Sequence, residues 1–248
     1  MTFASYASLK LTRFKELHTS GSVHKPATTD ALFCDAGADS GAAGAAPDSH
    51  EAHVFALLGL HPTLEATQRF IEAADSIAPW MNDADEIWTA VLQPFRHTGE
   101  ANLLDRGSEG PLFEALATPP PANEPIVVVT SAGWRRTELD FKRIQLFSRG
   151  VYEVRTAMTG ITGLNSQQSF TFPGGLEYDP ITVSIWQDID AMKSWAYMPG
   201  VHFKYLEQHR KHAMADRSSF TRYRILQSSG TWHGEILGHS RNENSVTR

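Results

Sequence analysis

The sequence predicts an α+β protein assembled from two βαββαβ halves that pack sheet on sheet with their helices outside. Three observations predict it. A proline-rich connector, residues 118–125 (TPPPANEP), divides the 248 residues near their middle. On either side of it, strand and helix patterns follow one another in the same order. The halves also close on similar stretches, WTAVLQPFRHTGEANL and FTRYRILQSSGTWHG, each running strand, polar turn, glycine and short extended tail. That is a weak internal repeat, visible in pattern more than in identity. Two such units bury both inner sheet faces against each other.

In the first half, residues 4–14 alternate apolar and polar side chains as a half-buried strand does, 31–34 form a short strand, and 53–60 (HVFALLGL) a strongly apolar one. Residues 63–80 place Leu64, Phe70, Ile71, Ala74 and Ile77 on one helical face behind Thr63, whose hydroxyl suits the helix N-cap. Residues 86–95 (EIWTAVLQPF) close the half as a strand. In the second half, 126–131 (IVVVTS) predict a buried strand and 138–155 a helix. Residues 162–172 and 181–186 predict two strands separated by the turn Pro173-Gly174-Gly175. Residues 189–215 predict a helix broken at Pro199-Gly200, where a backbone donor is missing, and 219–226 (SFTRYRIL) the last strand. The first half is the degenerate copy, because little helical periodicity separates Arg13 from Ala31 and its first helix is short or lost.

Residues 36–50 (AGADSGAAGAAPDSH) have no apolar period and predict a mobile loop. The polar stretch 235–248 is expected to fray. The expected units are therefore an N-terminal half over 1–117, the connector, a C-terminal half over 126–234 that carries the pocket, and a tail.

Apolar residues at 41% and charged residues at 20% are ordinary for a chain with a substantial core. A net charge of −6 gives no basic footprint for nucleic acid or an anionic membrane. The single cysteine, Cys34, excludes an intrachain disulfide, and a reducing cytoplasm is the simplest home. No stretch approaches the ~20 apolar residues that span a bilayer, so no stable membrane insertion is expected. The N-terminus alternates rather than showing a basic-then-apolar leader. The sequence holds no GxGxxG after a strand, no Walker loop, no GxSxG elbow and no cysteine segment of the thiolate-haem kind.

Several blocks recur in a fixed order. Ser184-Ile185-Trp186 with Asp188 is followed by Ala191-Met192, Pro199 with His202, a basic helix, Phe220-Thr221-Arg222-Tyr223, and Gly230-Thr231-Trp232-His233-Gly234. Upstream, Glu86-Ile87-Trp88-Thr89 leads through Pro94-Phe95 to Thr98-Gly99, and Ser8-Leu9-Lys10-Leu11-Thr12-Arg13-Phe14 opens the chain. This series resembles the spheroidene monooxygenase family over most of 51–234 and at the opening strand. The chain departs from the family pattern in its reduced first helix. It departs again at Asp35-Ala36-Gly37-Ala38-Asp39-Ser40-Gly41, a loose substitute for a G-x-G-x-G segment. The resemblance implies two fused ferredoxin-like repeats of the dimeric α+β-barrel type, with haem b as cofactor. It also implies oxygen insertion into an apolar, carotenoid-like substrate. With no flavin or nicotinamide motif in the sequence, the electrons would come from a partner such as a ferredoxin.

A haem protein needs an axial ligand, counter-charges for the propionates and an apolar slot. The resemblance puts the ligand at His202, which on helical spacing shares a face with Trp195, Tyr205 and Leu206. The same spacing suits a packed histidine that caps the new helix. Arg222 shares a strand face with Phe220 and Arg224. Turned to a pocket, Arg222 would pair with a propionate or steady the bound oxidant; turned to solvent, it would only discourage sheet extension. Trp195, Tyr197 and Met198 are candidates for the pocket wall and equally suit a packed helix, while Trp88 and Trp186 read as core. His202, His209 and His212 also raise a zinc or non-haem iron site, against which Lys204, Arg210 and Lys211 favour a solvated basic helix end. Two further functions stay open on this scaffold: a haem-dependent dehydratase or N–O bond-rearranging enzyme, and a non-catalytic carrier of haem or an apolar ligand. Exposed sheet faces of such scaffolds serve homodimerisation.

Overall fold

The structure, a computed structural model, describes residues 4–19, 33–39, 51–100, 112–113, 115–134, 140–171 and 180–238. In chain order these form β1 (Tyr6–Thr19), β2 (Phe33–Asp39), β3 (Glu51–His61), α1 (Leu64–Ile77), β4 (Glu86–Gly99), β5 (Ile126–Gly133), α2 (Phe141–Met158), β6 (Leu164–Thr171), β7 (Ile181–Trp186), α3 (Ile189–Tyr197), α4 (Val201–Lys211) and β8 (Arg217–Gly230). The fold is α+β. Its eight strands close into a barrel of order β1-β3-β2-β6-β7-β5-β8-β4, with β4 returning to β1. Every pairing is antiparallel. Read from β4 the order is β4-β1-β3-β2, and read from β8 it is β8-β5-β7-β6. The two runs join at β2–β6 and β4–β8.

The β4–β8 ladder runs from Trp88↔Gly230 to Gly99↔Ser219. Both strands end in a glycine with positive φ, +85° at Gly99 and +80° at Gly230. Beyond each glycine the chain donates back to the partner strand: Glu100 N–H to Ser218 O at 2.8 Å, and Thr231 N–H to Ile87 O at 3.1 Å. A β-carbon at Gly99 would stand 2.1 Å from Ser218 O, and one at Gly230 would stand 2.1 Å from Ile87 O. Only glycine tolerates both the left-handed backbone and this approach.

Alternation along the strands sends one set of side chains into the barrel and the other outward. Leu9, Leu58, Trp88, Leu92, Val127, Val183 and Ile185 fill the interior. One barrel end is closed by the chain after β8. There Trp232 donates from Nε1 to Ser166 Oγ at 2.7 Å, while Leu237 O accepts from Trp88 Nε1 at 3.0 Å and from Ser228 Oγ at 2.7 Å. The other end is closed by Phe113, whose ring meets His97 and Tyr223 edge-on.

The helices lie outside. Thr63 caps α1 as expected, accepting from Ala66 N–H, and Asp140 and Asp188 cap α2 and α3. Phe70, Ala74 and Ile77 of α1 bury against Phe55 and Leu57 on the outer face of β3. Under the same helix Lys10, only 4% exposed, donates to Asp75 Oδ1 at 3.0 Å and to Asn82 Oδ1 at 2.9 Å. No helix among the described residues is long and apolar enough to cross a membrane.

Several expectations are corrected. Residues 36–39, assigned by composition to a mobile loop, belong to β2, whose backbone pairs with β3 and β6. The expected fraying from 235 begins too early: Trp232 and Glu235 pair, and Leu237 is buried in the barrel. Pro79 ends α1 and starts a 3-10 turn over Pro79–Asp83. Trp88 and Trp186, both read as core, lie in different layers: Trp88 fills the barrel and Trp186 sits in the outer cluster with Phe95 and Met192. The expectation that the first helix between Arg13 and Ala31 is short or lost falls largely on 20–32, which, with the loop at 40–50, the turn at 173–175 and the tail beyond 238, lies outside the described residues.

Gly99→Ala and Gly230→Ala should each lower stability by about 2–4 kcal/mol, from the left-handed backbone and the carbonyl clash together. Urea denaturation monitored by circular dichroism reads this directly; a loss below about 0.5 kcal/mol in both variants would contradict the strand ends described.

Candidate functional site

On the outer face of β4, β5, β7 and β8, beneath α2, α3 and α4, lies a cavity of about 460 Å³. Ligand pockets typically measure roughly 300–1,000 Å³. Its two sides differ in chemistry. The helices contribute Val151, Val154, Met158, Met192, Trp195 and Leu206, a largely apolar ceiling that also carries Arg155, His202, His209 and Arg210. The sheet contributes Thr98, Thr130, Thr182 and Ser184 among Val128, Trp186 and Phe220. The helices can approach one another because α2 carries Gly150 against α4: a β-carbon there would stand 2.9 Å from the Tyr205 ring.

His202 lies on the cavity wall in the first turn of α4, just past the break at Pro199-Gly200. Its Nδ1 is 2.9 Å from Ala196 O. A carbonyl only accepts, so Nδ1 carries the hydrogen and Nε2 is left with its lone pair and no partner among the described residues. Its ring packs on Trp195 with centroids 4.8 Å apart, and Trp195 in turn packs on Trp186 at 5.7 Å. Burial pushes the His202 pKa below the ordinary 6.5, opposed by the hydrogen bond to Ala196. The imidazole is therefore neutral at pH 7.

Arg222 also faces the cavity and is 8% exposed. Its Nη2 donates to the Tyr197 hydroxyl, and its guanidinium lies 5.6 Å from the centre of that ring. Burial lowers its pKa and the neighbouring Arg96 adds to the effect, while Tyr197 opposes it.

Of the residues that sequence reasoning selected, Trp195, Tyr197, His202, Tyr205, Leu206 and Arg222 all line this one cavity. Met198 does not. It is 62% exposed, in extended backbone at the end of α3, where the chain turns away before Pro199. Trp186, read as core, is buried and also lines the cavity. His202, His209 and His212 do not converge. His209 accepts from Met214 N–H at Nδ1 and bonds Ser218 Oγ through Nε2, while His212 is exposed. Arg96 was missed. The register shifts between Pro94 and Arg96, so Phe95 and Arg96 both lie on the outer side, Phe95 in the apolar cluster with Trp186 and Arg96 in the cavity. Pro94, a residue that breaks a ladder, was the available signal.

No protein-family model matches the chain. Spheroidene monooxygenase of Cereibacter sphaeroides is 26% identical over 188 residues, covering 74% of this chain and 52% of that protein. The chain thus spans about half the length of the relative it matches. Among solved structures, an aldoxime dehydratase shares the fold with a TM-score of 0.52 at 8% identity, over 90% of this chain and 82% of that one. Another aldoxime dehydratase, crystallised with butyraldoxime, gives a TM-score of 0.49 at 10% identity, over 89% and 79%.

In the protein without added ligand, the His202 ring should titrate below pH 6.5 by NMR. Because the unfolded chain then binds the proton first as pH falls, this histidine's contribution to stability is complete above pH 6.5. The contribution declines between 6.5 and the folded pKa. A His202 midpoint at or above 6.5 would show that the ring is not held as described.

Proposed function

We propose that the chain is a haem-dependent oxidoreductase of the monooxygenase type, acting on an apolar small molecule held beside His202. Its scaffold is two fused ferredoxin-like repeats, 1–117 and 126–234, joined by the connector 118–125. The observation that carries the proposal is the unpartnered Nε2 of a neutral imidazole on the wall of an apolar cavity. The equivalent strand orders and the matched glycine ends of β4 and β8 support the repeat. The monooxygenase named among the relatives supports the reaction type.

The residues present fit iron porphyrin. Nε2 of His202 is the nitrogen that would ligate, and the Ala196 carbonyl fixes the tautomer that leaves it free. Trp186, Trp195, Val154, Met158 and Leu206 give a dry wall for a flat apolar ring, and Arg222 gives a positive charge for a propionate. Haem b, when bound, supplies the redox-active iron through which dioxygen oxidises an apolar substrate. Trp195 holds the His202 ring in place by packing against it at a tilt of 48°. Arg222 donates to the Tyr197 hydroxyl and so fixes that oxygen at the cavity. The apolar ceiling excludes water from whatever lies between the helices and the sheet. Electrons come from a separate donor such as a ferredoxin. The shared fold with aldoxime dehydratase favours a second reading, redox-neutral chemistry at an N–O bond on the same haem site.

Protein produced with a haem precursor should purify with a haem absorption band, and His202→Ala should lose that band or shift it. A well-folded protein that takes up no haem would remove both readings. Turnover of an aldoxime without dioxygen or an electron donor would select the second.

A further inference from the structure

Arg96 and Arg222 stand directly opposite one another across the β4–β8 ladder, and both line the cavity. Arg224, two residues along β8, falls on the same strand face. Like charges placed directly across a sheet repel. A buried guanidinium normally has a carboxylate to offset its desolvation. The other buried cation described above obeys this rule, since Lys10 sits 3.0 Å from Asp75. Arg222 does not: the group it donates to is a neutral phenol, and no salt bridge joins it to a carboxylate among the described residues. Arg96, which is exposed, has no ion pair there either, and the Nε of Arg224 is buried with no hydrogen-bond partner among the described residues. Four arginines and two histidines line the cavity, and among the described residues no Asp or Glu does. Of the other two arginines, Arg210 is paired with Glu207.

We infer that Arg96 and Arg222, flanked by Arg224, form a carboxylate-binding site at the sheet side of the cavity. The bulge after Pro94 is what turns Arg96 toward it. An arginine pair of this kind takes a carboxylate through parallel N–H donors, and the apolar ceiling takes the hydrocarbon attached to it. The ligand is thus an amphiphile with an anionic end. The carboxylates are either the propionates of a bound porphyrin, where the inference rests on the haem reading, or the acid group of the substrate, where it does not.

Two titrations of the full chain separate these sources. In the first, iron protoporphyrin is compared with its dimethyl ester, followed by absorbance. In the second, a C16 fatty acid is compared with its methyl ester, with no metal present, followed by the fluorescence of Trp186 and Trp195. The acid form should bind at least about tenfold more tightly than the ester in one or both pairs. Arg96→Gln and Arg222→Gln should abolish the preference while leaving ester affinity unchanged, and Arg96→Lys should restore part of it. Preference confined to the porphyrin pair assigns the site to the cofactor; preference confined to the fatty acid pair assigns it to the substrate and stands even if haem is never taken up. Because Arg96 is exposed, its variant folds whatever happens to Arg222 variants. Equal affinity for acid and ester in both pairs, or a preference that survives Arg96→Gln, would overturn the inference.

Discussion

The antiparallel ladder between β4 and β8 is the constraint on which the rest of the structure depends. It closes the barrel, and it sets Arg96 opposite Arg222 on the outer face. Its ends are fixed by two glycines whose backbones only that residue adopts at so small a distance. Hydrogen bonding along the ladder is backbone to backbone, so it holds the two arginines together regardless of their mutual repulsion. The apolar residues on the inner side of the same strands, from Trp88 to Ile225, supply the burial that keeps the ladder paired.

The cavity inherits its chemistry from this arrangement. A sheet face carries threonine, serine and arginine readily when it is not the face that packs the barrel. The helices that cover it turn their own apolar stripes inward. The result is a space with a polar floor and a largely apolar roof, in which His202 presents an imidazole whose Nε2 has no partner among the described residues. His202 reaches that position because Pro199 and Gly200 end α3 and let α4 start in a new direction, with the Ala196 carbonyl returning to bond its Nδ1.

Much of this was legible in the sequence. Strand and helix order came from periodicity. Thr63 marked its helix, and Pro199-Gly200 marked the break that isolates His202. Helical spacing put Trp195, Tyr205 and Leu206 on the face of His202, whereas Tyr197 was chosen by nearness in sequence and strand alternation left open whether Arg222 faced a pocket or solvent. What spacing does not carry is a change of register, so Arg96 stayed hidden behind the bulge at Pro94. Composition misread residues 36–39 because glycine and alanine hold a strand through main-chain bonds alone. Met198 was placed by nearness in sequence, which fails where a helix ends and the next residue points elsewhere. The stretch after Gly234 looked polar enough to be free, yet Leu237 is buried in the barrel core beside Trp88 and Trp232.

The order of strands around the barrel bears on how the molecule is made. β8, the last strand in chain order among the described residues, lies between β5 and β4, and the segment through Leu237 corks the end. Until the ribosome has released that stretch, β4 and β5 present open edges and the interior faces solvent, the condition under which strands from different chains join. Closure of the barrel therefore waits on β8 and the segment through Leu237, and a chain lacking them leaves the edges of β4 and β5 open to strands of other chains.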